Sequence, residues 1–153
     1  MAHYELAKTE FLKSVSIVQD NYKFSREPKL FINVIEHSLN SINYTLKTIV
    51  HYEQQLQLLP KQLLEEKLFE KTIKRNKLDP EINNYRREMK NILINYKESA
   101  MVFRKGTNLV ILNSNIPTVV TLKLVLGYLK INKELLNFLS NKYKSELSLG
   151  GYA

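Results

Sequence analysis

Cysteine and tryptophan are absent from the chain, and its 153 residues include only four glycines and four prolines. Without cysteine there is no disulfide framework, no thiolate nucleophile and no thiolate metal site, and a reducing compartment is permitted. So few glycines and prolines leave little room for the many tight turns of an all-β fold. Long apolar runs are missing as well, since none approaches the roughly 20 residues needed to cross a bilayer. The start Met1-Ala-His-Tyr-Glu5 lacks the basic and apolar regions of a signal peptide, so a cytoplasmic protein with no membrane partner is expected. Acid is scarce in one half only. Residues 1–70 carry eight Lys/Arg against nine Asp/Glu, whereas 71–153 carry fifteen against six, so the net +8 divides into −1 and +9. A surface charged in that lopsided way favours polyanions as partners.

The remaining composition, 44% hydrophobic and 25% charged, is that of an ordinary globular chain and suits one domain. That domain is expected over 1–149, with 150–153 as a flexible tail. Tyr4, Ala7, Phe11, Val15, Val18 and Tyr22 step by three or four and predict a first helix over about 3–22. Ser25 as cap and Pro28 in the first turn open a long second helix near 28–57, with an apolar stripe from Leu30 to Leu56. After Pro60, Leu63, Leu64, Leu68 and Ile73 predict a shorter third helix ending near Asn76. Asp79-Pro80-Glu81 is a start signal for a fourth, which runs to about Ser99. Two short β-branched or aromatic runs near 101–104 and 108–112 flank Gly106 and predict a β-hairpin. Pro117 and Thr118 then lead into a last helix capped by Thr121, with a stripe of Val125, Leu129, Leu136, Leu139, Tyr143 and Leu147. The expected fold is therefore all-α: an antiparallel bundle of four main helices plus a short one, carrying a small hairpin near 101–112. In an alternative, the second and last helices extend their stripes into a homodimer.

Signals for chemistry are sparse. Helical bundles bind metals through Glu-x-x-His pairs, and the chain has none. His37 and His51 lie 14 residues apart, about 21 Å along a helix, too far to share an ion. No metal site and no cofactor are expected, and all three histidines are read as structural or surface residues. There is no phosphate-binding glycine loop and no nucleophile elbow. Ser14, Ser16, Ser38 and Ser41 read as helix-surface serines without a base.

The basic half forms clusters. Arg86, Lys90 and Lys97 fall in one stripe beside the apolar face of the fourth helix, with Arg87 just beyond it. The stripe suits phosphate contacts, with Tyr85 or Tyr96 near enough to stack on a base, although long basic stems also serve simply to cover a core edge. Arg104 and Lys105 stand at the hairpin tip beside Gly106. Lys71, Lys74, Arg75 and Lys77 form a second patch at the end of the third helix, where part of the charge complements the helix dipole.

The stretch Tyr96-Lys-Glu-Ser-Ala-Met-Val-Phe-Arg-Lys-Gly-Thr-Asn-Leu-Val-Ile-Leu112, between a helix and a Thr-rich approach to a last helix, resembles a group of small uncharacterised archaeal helical proteins. The resemblance covers the C-terminal third and implies a fold and an archaeal source. The bundle is also broadly similar to HEPN domains, many of which are RNases or RNA-binding partners. Active members carry an Arg followed four to six residues later by His, whereas here Arg26 stands eleven residues before His37, so the resemblance implies a noncatalytic member. These readings make the chain a noncatalytic binding module for RNA or a ribonucleoprotein. The alternatives are a protein-interaction or oligomerisation module meeting an acidic partner, and a divergent nuclease.

Overall fold

In the computed structural model, which describes residues 2–144, α1 (Ala2–Ser16) passes through a π-helical segment (Ile17–Tyr22) into the single turn α2 (Lys23–Ser25). There follow α3 (Leu30–Gln55), α4 (Glu65–Arg75) and α5 (Ile82–Glu98), then strands β1 (Met101–Lys105), β2 (Asn108–Asn113) and β3 (Ile116–Val120), and finally α6 (Leu122–Lys142). Five helices longer than one turn and a three-stranded antiparallel sheet make this a mixed α/β fold, so the expected all-α bundle with four main helices is corrected.

The third strand accounts for most of that correction. Ser114 and Asn115 both have positive φ, 51° and 66°, the combination a type I′ hairpin turn requires. The turn feeds Ile116, Thr118, Val119 and Val120, β-branched residues that suit a strand, into pairing with β2. Pro117, read from sequence as leading into a helix, sits instead on an edge strand of the β1-β2-β3 sheet, where a missing N–H is tolerated. The hairpin is present, with Gly106 (φ 62°) at the first central position of its two-residue turn, the place glycine takes in a type II′ turn.

Long α3 is the centre of the core. Its Phe31, Ile35, Ile42, Leu46 and Ile49 have no exposed surface, and burial of each such side chain contributes about 1.5–3 kcal/mol. Against it α1 runs antiparallel, as the pairs Ser14 with Val34 and Ser41 with Ala7 show, while α6, α5 and α4 pack on its other sides. One face of the sheet, with Val102, Leu109, Ile111 and Val120, joins the same core. The opposite face carries Met101, Phe103 and Val119, which are 56%, 38% and 47% exposed.

Two further expectations change. Residues 56–64 form a loop rather than the start of a helix, because Gln57 (φ 61°) closes α3 with a left-handed residue; Leu59 is buried there, whereas Leu63 and Leu64 are exposed. The serines Ser14, Ser38 and Ser41 are fully buried, not on the surface. Being small, they suit close helix crossings, and each hydroxyl donates to a carbonyl or to Asn132 of α6. Leu147 and the tail at 150–153 lie outside the described residues.

Candidate nucleic-acid interface

Two of the ten sequence-derived contact residues are held by carboxylates within the fold, Arg86 buried and Arg75 still 41% exposed. Arg86 is only 8% exposed. Its guanidinium forms a bidentate pair with Glu66 of α4 at 3.0 Å, donates to Asn43 of α3 at 2.7 Å and to Asn83 at 2.9 Å, and lies over the Phe69 ring at 4.6 Å. The hydrogen bond from Arg86 holds the Glu66 carboxyl below the usual carboxylate range, with Lys90 and Arg87 adding to the effect and partial burial opposing it. Arg75 is likewise engaged. It donates to Glu53, a carboxylate with no exposed surface that also accepts from Thr72 and Asn76. The partners lie 20 and 22 residues away in sequence, beyond the reach of any local spacing rule.

The other eight, Arg87, Lys90, Lys97, Arg104, Lys105, Lys71, Lys74 and Lys77, are all exposed. Among the described residues, thirteen of the fifteen Lys/Arg that follow residue 70 have no carboxylate within 4.0 Å, the exceptions being Arg75 and Arg86. Before residue 71, four of eight are paired: Lys8, Lys13, Lys47 and Lys67. The positive excess of the second half is thus not neutralised internally.

Sheet register and helix geometry place these charges. Asn113 donates to Asn95 near the end of α5 at 3.2 Å, and Thr121, just beyond β3, lines a cavity with Tyr85 near the start of α5. The sheet therefore runs back along α5, bringing the hairpin tip level with its first turns. At about 100° per residue, Lys90 and Lys97 lie roughly 60–80° to one side of Arg87, and Glu88 and Asn95 roughly 80–100° to the other, which is the sheet side. Tip and stripe consequently flank the exposed ridge of α5, formed by Asn84, Arg87, Asn91, Ile94 and Glu98, instead of merging on one flat face. The Lys71, Lys74 and Lys77 patch is separate: Lys77 lines a cavity with Glu134 of α6, about 17 Å along that helix from Lys123.

Sequence reasoning missed Lys123, although a signal was available. It stands in the first turn of α6, where Thr121 caps by accepting the Leu124 N–H and no acid is present. A cation there opposes the helix dipole and leaves that end positive. Register ties it to the tip: Arg104 pairs with Leu109 and Leu109 with Val120, so Arg104 and the approach to α6 are two strand spacings, about 10 Å, apart. Tyr128, five residues further along α6, was missed too. It is 2% exposed, and its hydroxyl is without a hydrogen-bond partner among the described residues, a condition that costs about 1–3 kcal/mol. Burial, with Glu88 and Tyr85 adding, raises its pKa above the ordinary tyrosine value, so it remains a donor at neutral pH.

Elsewhere His37 Nδ1 pairs with Glu10 at 2.5 Å, a carboxylate–imidazole pair that tertiary packing assembles from α1 and α3. Ser16 lies in the same cleft, but its hydroxyl donates to Asp20, and no nucleophile is hydrogen-bonded to His37 among the described residues. Nor do the described residues contain a group of three or more His, Asp or Glu able to hold a metal ion. No helix among them is long and apolar enough to cross a membrane. No family model, no curated protein and no solved structure matches the chain.

Proposed function

We propose that this protein is a noncatalytic RNA-binding module, cytoplasmic in setting, whose phosphate contacts are Arg87, Lys90 and Lys97 on α5 and Arg104 and Lys105 at the hairpin tip, with Lys123 beside them. Lys71, Lys74 and Lys77 form a lesser second patch, Arg86 supports the surface from within, and Arg75 is engaged by Glu53. The observation that carries this reading is the lack of internal neutralisation: thirteen basic side chains after residue 70 have no carboxylate partner among the described residues. A ridge flanked by cations suits a flexible single strand better than a rigid duplex, because the strand can bend over it to reach both sides.

The test compares two variants of similar charge loss. Replacing Arg87, Lys90, Lys97, Arg104 and Lys105 by Gln is expected to weaken single-stranded RNA binding by at least tenfold. Replacing Lys23, Arg26, Lys29 and Lys61, which are also without carboxylate partners, is expected to leave it within about twofold. Equal losses would reduce the reading to net charge alone.

A second reading, a protein-interaction or self-association module with an acidic partner as the hetero-oligomeric case, is favoured by one observation. The outer face of the sheet exposes Met101, Phe103 and Val119 in adjacent rows, apolar surface of a kind that marks protein contacts. Sedimentation over a wide concentration range tests the self-association arm; a dimer dispersed by Phe103→Glu would support it, and a constant monomer mass would remove it.

A further inference from the structure

Between α5 and the first two turns of α6 lies a cavity of about 340 Å³, lined by Tyr85, Thr121, Lys123, Leu124, Gly127 and Tyr128. That volume falls within the range of about 300–1,000 Å³ typical of small-ligand sites. We propose that this cavity receives one nucleobase of a bound RNA strand, stacked against Tyr85 and hydrogen-bonded by Tyr128, while Lys123 and the hairpin tip hold the adjoining phosphates. The inference rests on the RNA reading above and adds to it a site that reads the base rather than the backbone.

Four features converge there. Tyr128, 2% exposed, carries the one buried side-chain polar atom without a partner among the described residues, and a ring nitrogen or carbonyl of a base is the acceptor it lacks. Tyr85 meets it edge-on with centroids 6.1 Å apart and is itself only half-buried, leaving ring surface for stacking, which is sequence-tolerant because every base has a π-face. Gly127 sits in mid-helix, where a Cβ would meet nothing within 4 Å. Neither packing nor backbone geometry demands glycine at that point, and the missing side chain keeps the cavity wall open. Finally, Lys123 stands on the cavity rim, and Arg104 lies two strand spacings, about 10 Å, from Val120 at the approach to the same helix. A largely apolar cavity walled by two tyrosines, with Lys123 at its edge, matches the chemistry of a nucleotide unit: planar base within, phosphate without.

The test measures the full chain against two oligomers of equal length, a single-stranded RNA and the same ribose–phosphate chain lacking bases. The wild-type protein is expected to prefer the base-bearing strand by roughly tenfold, as one stacked base contributes. Gly127→Leu, which fills the cavity, is expected to bring the two affinities together while leaving the salt dependence unchanged. Tyr128→Phe, which removes only the hydroxyl oxygen, is expected to narrow the preference by about threefold and guards against a Leu variant that misfolds. Equal wild-type affinity for the two oligomers would overturn the base site and leave the phosphate reading standing. A preference that survives both substitutions would also overturn it. Absence of binding to either oligomer would overturn both.

Discussion

Two arginines with identical formal charge to their neighbours have quite different work. Arg75 neutralises Glu53, a carboxylate with no exposed surface, whereas Lys74 beside it has no carboxylate partner among the described residues. Arg75→Gln is therefore expected to cost on the order of 2–3 kcal/mol, below the roughly 3–5 of a fully buried pair because Arg75 is 41% exposed. Lys74→Gln is expected to change stability by less than about 0.5 kcal/mol; urea unfolding of both variants measures the contrast. Glu66 allows a pH test of the other paired arginine. Its carboxyl is held below the usual range by the Arg86 hydrogen bond, so its stabilisation is complete above the unfolded value near 4.3 and is lost as pH falls through the lower folded value. The stability difference between wild type and Glu66→Gln should be flat above about pH 5 and shrink as the pH drops below about 4. It should also be small, since the Glu66 side chain is 64% exposed and the pair is screened by solvent. None of this was visible in the sequence. Arg86 and Arg75 looked like their exposed neighbours because helical spacing reports which face a residue occupies, not what faces it from another element.

At the level of elements, signals carried by adjacent residues were read only in part, since neither Ser25 nor Asp79 caps the helix it precedes: α3 and α5 have Lys29 and Glu81 at their N-caps, with no side-chain cap hydrogen bond. Thr121 caps α6, and the Asp79 carboxylate accepts the Glu81 N–H at 2.9 Å at the approach to α5. Both are local devices that act within a turn of the chain. β3 was lost because Pro117 carries opposite meanings in two settings: before a helix it is a leader, while on a sheet edge it is merely tolerated. Which applies depends on whether Ser114-Asn115 makes a hairpin turn. Both residues adopt left-handed conformations, which cost L residues other than Asn and Gly about 1–2 kcal/mol. Converting the turn to its favoured form with Ser114→Asn and Asn115→Gly should therefore raise stability by about 1 kcal/mol and leave RNA affinity unchanged, as thermal unfolding and a binding titration would show. A loss of stability would mean that β3 is not held by that turn. In α6, Gly127→Ala should stabilise by about 0.5–1 kcal/mol, since glycine in mid-helix has only conformational entropy to lose and the added methyl meets nothing.

For the whole molecule, the charge division noticed in the sequence persists as a division of surface: among the described residues, half the basic side chains before residue 71 are paired with carboxylates, against two of fifteen after it. Composition anticipated the sign and the half of the chain, but not the geometry, because the return of the sheet along α5 sets tip and stripe on opposite flanks of one helix. Binding of single-stranded RNA across a salt series tests the central claim most directly. Each phosphate contact on a single strand contributes about −0.7 to the slope of log affinity against log salt. Six such contacts, Lys123 included, predict a slope near −4.2, falling to about −0.7 when Arg87, Lys90, Lys97, Arg104 and Lys105 are replaced by Gln. No saturable binding at low salt, or a slope untouched by those replacements, would contradict the account.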